Sequence, residues 1–566
     1  MALMAKKMFN KNYVVPFFLL LFSIPAIYYL LHSGFYEPHD LHHFADIYQM
    51  VRAFSSGQIP PRLGPDFTFG YGYPLFNFYY VMPFYLGALL YFIFGSITLS
   101  FKLVFVISVL LSLAGMYLFL REFFGKYASF IGSIIFLYTP YRALQIYVRG
   151  AMGEALTLSL LPLLGWVIVK IVKSDGKLRT VGWASIICAV FLLSHNYMWA
   201  LSLPWVLLLA IFLVKKGTVG INFSKLLLLG TLAVGMTIYW WLPGLAEQKL
   251  VNPSTPFPLF DHFPFIKQLI IPFWGYGASV WGPGDGLSFQ IGITNIAVVC
   301  ATLFLIVFYR KFYLKKDNLK LTIWALAGFV TSFVFMNVRS YPIWKLLPFY
   351  NLIQFPWRLL FLTTFFTSIL AGNLVELLEG RVRKIIGVGL LILSILTTYQ
   401  YFQPSKVFYK SDDEYLARFF ANRTVNGDKD SVSGEYLNYS EDYLLLTNWT
   451  KEKPMTLPQS KITSAEAKIT NIKEISPVDW KADVSANESG VVTFNSYYFP
   501  GWFARIDGRD AQINPGGPFG QIELVVSEGR HSIEFYWAET PLRKAADLVS
   551  VFSLFAALLL VFSRKR

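Results

Sequence analysis

Two cysteines in 566 residues leave no disulfide framework to build on, and both, Cys188 and Cys300, sit inside apolar runs. Charge is scarce as well. Asp, Glu, Lys and Arg together make up 15% of the chain and hydrophobic residues 55%, with a mean hydropathy of +0.49. A soluble globular chain carries about 25% charge and roughly 45–50% apolar residues. That shortfall excludes a soluble globular enzyme, and the apolar excess excludes a disordered or fibrous protein. What the chain has in quantity is long hydrophobic runs and aromatics, the latter 18% of all residues. It reads as a polytopic α-helical membrane protein.

The net charge of +15 is an average over two unlike parts. Residues 403–542 hold 14 Lys+Arg against 20 Asp+Glu, a net of −6, and the rest of the chain carries +21. This split predicts a mildly acidic soluble block and basic membrane loops, and it gives no sign of nucleic-acid binding.

The first apolar run, Val14–Leu31, follows Lys6, Lys7 and Lys11 and has no small-residue cleavage site behind it, so a retained anchor is expected. Further runs that read as spans are 101–120, 127–140, 154–172, 181–194, 198–214, 224–242, 290–308, 320–337, 358–378, 385–402 and 545–562. Lys and Arg cluster in alternate connections: Arg121/Lys126, Lys173/Lys177/Arg179, Lys215/Lys216, Arg310/Lys311/Lys315/Lys316, Arg381/Arg383/Lys384 and Arg564-Lys565-Arg566. The positive-inside rule makes these cytoplasmic. The 15-residue run Val81–Gly95 is short for a span. If it crossed, the basic loops could not all share one side, so it is expected to lie in the interface or re-enter. About 12 spans follow, with both termini cytoplasmic in a plasma membrane.

The domains expected are thus a membrane domain 1–402 with a first external loop 33–100, an extracytoplasmic block 403–542, and a final helix with a basic tail over 543–566. From about 490 the block reads as a β-sandwich, because 491–499, 502–508, 511–514, 521–526 and 531–538 alternate apolar and polar residues between Gly/Pro/Asp turns. Four Asn-x-Ser/Thr sequons (Asn422, Asn438, Asn448, Asn487) fall in this block, as expected by chance in a polar stretch. No internal repeat is evident.

The polar chemistry collects on the segments predicted to be external. Residues 32–46 carry four of the seven histidines and three carboxylates directly after the first span. An ionisable cluster at a membrane surface is a candidate functional site, although a water-solvated loop has the same composition. Asp40 is the leading candidate. Asp40, His39 and His43 are possible ligands of a divalent cation, Mg or Mn, whereas His42 and His43 are adjacent and expected to diverge on a helix. Gly70–Tyr80 (GYGYPLFNFYY) offers Tyr73 and Asn77 in a rigid aromatic wall or a plain aromatic belt. In Tyr141–Glu154, Arg142, Arg149 and Glu154 are substrate-binding candidates, with an Arg149–Glu154 structural ion pair as the alternative. His195 ends a span on the same side, and Arg358 opens another, suited to a phosphate or to a lipid headgroup. A carboxylate base and arginines able to neutralise phosphate fit sugar transfer from a lipid phosphate, with in-line attack that inverts the anomeric carbon.

At this point the chain resembles a known group. The Asp40 loop, GYGYP…YY, YVRGAMGE (147–154), LSHN (193–196) and QFPWR (354–358) resemble bacterial membrane proteins labelled "6-pyruvoyl-tetrahydropterin synthase-related". The tail YFPGW (498–502), Asp507-Gly508 and Gly529-Arg530-His531, followed by one last span, resembles the YfhO-like proteins. Both groups are similar to GT-C glycosyltransferases, and the resemblance covers about 10–400 and 490–566 of this chain. The resemblance implies a polyprenyl-phosphate-linked sugar donor, an acceptor that is a glycan, lipid or protein, and Asp40 as the catalytic acid-loop residue. Many GT-C enzymes carry paired acids in that loop, whereas Asp40 is flanked by histidines. Two other classes stay open. A lipid or polysaccharide transporter or flippase predicts mid-membrane charges and inverted repeats, and a non-catalytic envelope-assembly protein predicts that Asp40 is dispensable.

Overall fold

The computed structural model describes residues 14–173, 177–252, 258–309, 316–347, 350, 353–420 and 446–563. Lys6, Lys7, Lys11, Arg310, Lys311, Lys315, Arg564-Lys565-Arg566 and the sequons at Asn422 and Asn438 lie outside the described residues.

Every stretch expected to span is a helix. In chain order these are α1 (Val14–Leu31), α4 (Ile97–Arg121), α5 (Lys126–Leu137), α6 (Met152–Lys173), α7 (Leu178–Leu192), α8 (Met198–Leu213), α9 (Val219–Glu247), α10 (Ile293–Phe308), α11 (Lys316–Phe335), α12 (Leu360–Leu377), α13 (Gly380–Thr398) and α14 (Pro541–Phe562), with α2 (His42–Ser55) and α3 (Met82–Phe94) in the first loop. Among the described residues, seven helical stretches are long and apolar enough to cross a bilayer unaided. An eighth candidate is the α11 stretch with the short helix beyond it, bent by 90°, and five shorter apolar helices, α3 among them, accompany these. A helix with no polar face suits a bilayer because its backbone groups are satisfied internally. Exposed Phe17, Leu20 and Leu21 on α1, Ile385 and Leu396 on α13, and Phe552 and Leu559 on α14 make an apolar outer surface, while α12 is buried almost throughout. The protein is a polytopic membrane protein with a separate C-terminal β domain.

The α3 helix is tied to the bundle at both ends. The Met82 amide bonds to Leu193 O at the end of α7, and the Ile97 and Thr98 amides just past the other end of α3 bond to Asp412, beyond α13. Both ends of α3 therefore lie on one face of the bundle. On that face also gather the described parts of the loops after α1, α5, α7, α9, α11 and α13. At the other ends of the helices, Lys170 and Lys173 reach Glu122 and the Lys384 carbonyl accepts from Tyr127 Oη.

The sandwich begins earlier than its alternation predicts, at Ile462 rather than about 490. Strands β1 (Ile462–Thr463), β4 (Gly490–Tyr497), β8 (Gln521–Val526) and β7 (Ile513–Gly516) form one sheet in the order β1-β4-β8-β7. The other sheet runs β2-β3-β9-β5-β6, from β2 (Ala467–Ser476), β3 (Asp479–Ala486), β9 (Gly529–Trp537), β5 (Trp502–Ile506) and β6 (Arg509–Ala511). All ladders are antiparallel. The edge strand β2 is mostly exposed and polar, so it lacks the period-2 apolar signal of a half-buried strand. Phe494 and Phe535 stack across the core at 4.7 Å.

Three polar clamps seat this domain and α14 on the bundle. Arg543, fully buried, grips Glu247 with Nε at 3.0 Å and Nη2 at 2.8 Å. Arg62 donates to Glu539 at 3.1 Å and Asp547 at 2.8 Å. Lys461 Nζ donates to Gly70 O at 2.5 Å and Asn495 O at 3.0 Å.

Candidate active site

The loop after α1 brings Asp40 under the turn that precedes α6. The Asp40 amide bonds to Arg149 O at 2.8 Å and the His39 amide to Val148 O at 3.0 Å, a strand-like seam. Gly150, at φ +65°, makes the seam possible: a Cβ there would stand 2.5 Å from Pro38 Cγ. Leu144–Arg149 form a wide π-helical turn, a feature that often re-aims side chains at functional sites. It carries Arg149 to the centre of the cluster.

Arg149 Nη2 donates to Asp40 Oδ2 at 3.1 Å and Nη1 to Glu154 Oε1 at 2.5 Å. Arg358 Nε donates to the same Glu154 oxygen at 2.9 Å, and Tyr141 Oη to the other at 2.9 Å. Two guanidiniums and two carboxylates thus balance in charge. Glu154 is 2% exposed, Arg149 and Arg358 7% each, and the Asp40 side chain 18%. Asp40 is the most exposed member. Trp357 lies under Arg149 at 4.8 Å and Phe355 under Arg358 at 4.8 Å, the cation–π geometry that steadies a planar guanidinium. Gln354, at φ +61°, turns the chain so that its side chain and the Ile353 carbonyl accept from Arg358.

A histidine–tyrosine wall adjoins the cluster. His43, fully buried, donates Nδ1–H to Gly150 O at 3.0 Å, and Tyr80 Oη donates to its Nε2 at 2.9 Å. His195 stacks on Tyr80 at 5.1 Å. Gly153 is needed here, because a Cβ would fall 2.5 Å from the Tyr80 ring and 2.8 Å from Ser194 O. Asp40, Arg149, Glu154, Arg358, His195 and His43 therefore belong to one site, drawn from four separate parts of the chain.

Other expected members lie elsewhere. Arg142 is fully buried and donates to Ala155 O and Ser159 Oγ on α6, because the π-helical turn breaks the two-turn register that would have aligned it with Arg149. Asn77 donates to Glu247 Oε2 at 2.7 Å and so belongs to the Arg543 clamp. Tyr73 is buried in the packing around α2, its backbone bridged to Gly64. His39 donates to Tyr276 O at 2.9 Å.

The metal-ligand set also differs from Asp40, His39 and His43. Among the described residues, the one group of His, Cys, Asp or Glu ligand atoms all within 4.8 Å of one another is His42, His43 and Asp46. His42 and His43 do not diverge: both rings approach the Tyr79 hydroxyl, at 3.5 and 3.2 Å, and their centroids are 4.3 Å apart. Burial holds both imidazoles below the usual histidine range and pushes the Asp46 carboxyl well above the usual carboxylate range. Tyr141, Trp357, Phe355, Tyr79 and Asp46 were not singled out by sequence. Each falls inside a motif quoted above, but none was given a role of its own there.

A membrane bundle carrying a β-sandwich before its last helix, with an ionic site at the helix ends, defines the class. Residues 76–405, more than half the chain, match the family described as "6-pyruvoyl-tetrahydropterin synthase related domain; membrane protein", and the chain belongs to that family. It is also 26% identical over 256 residues to a protein of Lactococcus lactis subsp. cremoris (strain MG1363) that is named only as uncharacterized. That match covers 42% of this chain and 41% of the relative.

Proposed function

We propose that the protein is a membrane glycosyltransferase of GT-C type. It moves a sugar from a polyprenyl-phosphate-linked donor to a cell-envelope glycan, lipid or protein acceptor. The observation that supports this reading most is the placement of Asp40. It is the most exposed member of a charge-balanced cluster, held by Arg149 above the buried Glu154–Arg358 pair. The concentration of Lys and Arg on the opposite face supports cytoplasmic termini and an extracytoplasmic site and sandwich.

In this reaction the acceptor hydroxyl approaches the donor's anomeric carbon from the side away from the phosphate. Its oxygen forms the new C–O bond, its proton passes to an Asp40 oxygen, and the bond from the anomeric carbon to the phosphate oxygen breaks. The electron pair leaves with the polyprenyl phosphate, and the product is inverted. A positioned base contributes about 10²–10⁴-fold. Arg149 and Arg358 supply fixed positive charge for the leaving phosphate, in a site their aromatic supports keep partly dry.

The test is transfer of labelled sugar by the purified protein in lipid, from a panel of polyprenyl-monophosphate sugars to candidate acceptors. The reading expects product from wild type and transfer slower by about 10²–10⁴-fold from a folded Asp40→Asn variant. Equal transfer by both would sink the assignment of Asp40.

A further inference from the structure

The first loop holds a second constellation that the transfer chemistry above does not use. Asp46 lies on α2, 3% exposed. Its Oδ2 is buried with no hydrogen-bond partner. Among the described residues no lysine or arginine pairs with it, and its nearest cationic candidate is His42 Nε2 at 4.0 Å. A buried carboxylate with an idle oxygen is costly unless a cation or a proton meets it. Facing it are two imidazoles, and one of them is already oriented. His43 donates Nδ1–H to Gly150 O at 3.0 Å, which fixes the tautomer and leaves the Nε2 lone pair directed at the cluster. That arrangement is the usual outer-shell support of a metal-ligating histidine.

We propose that His42 Nε2, His43 Nε2 and Asp46 Oδ2 bind one divalent first-row transition metal of the zinc class. Tetrahedral ligands about 2.0–2.2 Å from such an ion are spaced about 3.4 Å apart. His42 Nε2 stands 4.0 Å from Asp46 Oδ2, and one ligand atom from each of the three residues lies within 4.8 Å of the others, so small side-chain rotations close the set. Two imidazoles with a single carboxylate suit zinc, cobalt or iron over magnesium or calcium, which prefer all-oxygen sites. The ion displaces the Tyr79 and Tyr80 hydroxyls from His43 Nε2 and leaves its fourth position to a water or to a phosphate oxygen. Since the His43 amide bonds to Asp40 O at 3.2 Å, the ion lies in the wall beside Asp40 and adds positive charge there. The proposal does not depend on the transferase reading, because its readout is bound metal.

The experiment uses the full chain in lipid nanodiscs, stripped with EDTA and then equilibrated with zinc or cobalt. Metal per chain is measured by elemental analysis, and the visible cobalt spectrum reports nitrogen–oxygen ligation. Wild type is expected to hold one tight ion per chain. Asp46→Asn, and His42→Gln at the less buried ligand, are expected to weaken binding by about 10–100-fold or more, and His39→Gln to leave it unchanged. Background-level metal in wild type would overturn the proposal, as would an Asp46→Asn or His42→Gln chain that eluted as a single species and bound like wild type.

Discussion

Glu154→Gln is the sharpest probe of the ionic cluster. Glu154 is 2% exposed and takes Arg149 at 2.5 Å, Arg358 at 2.9 Å and Tyr141 at 2.9 Å. The glutamine keeps the volume and one acceptor oxygen but removes the charge. Two buried guanidiniums are then left with the Asp40 carboxylate alone, which reaches only Arg149. Removing one partner of a buried ion pair costs about 3–5 kcal/mol. Arg149 retains Asp40 and Arg358 retains its carbonyl, which places the expected loss near ~3 kcal/mol. Asp40→Asn removes a more exposed contact while Arg149 keeps Glu154, so its cost is about 1 kcal/mol. Reversible unfolding in mixed micelles should therefore rank Glu154→Gln well below Asp40→Asn. Adding Arg358→Gln to Glu154→Gln should recover about 1 kcal/mol or more, because the second change removes the orphaned charge. A Glu154→Gln midpoint equal to wild type, or a double variant that is simply additive, would refute the charge-anchor argument.

Gly153→Val should push the Tyr80 ring and Ser194 apart, since even a Cβ would fall 2.5 Å from the ring. The expected cost is about 1–3 kcal/mol, with loss of activity exceeding that of Gly220→Ala, where a Cβ meets nothing. Arg543→Met should strand the buried Glu247 carboxylate and loosen α14 with the sandwich, by about 3–5 kcal/mol. Limited proteolysis within 446–540 would accelerate severalfold. On the sandwich surface, the Asp507 hydrogen bond raises the His531 pKa above 6.5, and His531 in turn lowers Asp507. The pair's stabilisation is then fully present between the ordinary carboxyl value of 3.8 and the ordinary imidazole value of 6.5, fading as pH rises through the raised His531 value and as it falls through the lowered Asp507 value. The stability gap between wild type and Asp507→Asn should accordingly close at alkaline pH, and a gap that widens there would contradict the pairing.

Much of the bundle was legible because a bilayer demands long apolar helices and leaves their ends polar. Counting basic loops gave the expectation that Val81–Gly95 does not cross, and α3 has both ends on one face of the bundle. Asp40, Arg149, Glu154 and Arg358 could be named together because charged groups at helix ends need partners, and in the structure they partner one another. The rest depended on geometry with no linear signature. Arg142 and Arg149 are seven apart, two ordinary turns, and only the wide turn between them sends one into α6 and the other to Asp40. His42 and His43 converge because a tyrosine 36 positions past His43 draws both rings. Asn77 looked like a wall residue, but its partner Glu247 lies 170 positions away. Strand β2 is an exposed polar edge, and alternation cannot reveal a strand that buries neither face.

The most direct test of the central claim is the steady-state rate of sugar transfer by Asp40→Asn against wild type, with donor saturating and the fold verified. A base at Asp40 predicts a fall in kcat of about 10²–10⁴-fold, with KM for the lipid donor changed little because Arg149 and Arg358 remain. A kcat within a few-fold of wild type, or a loss confined to KM, would contradict it.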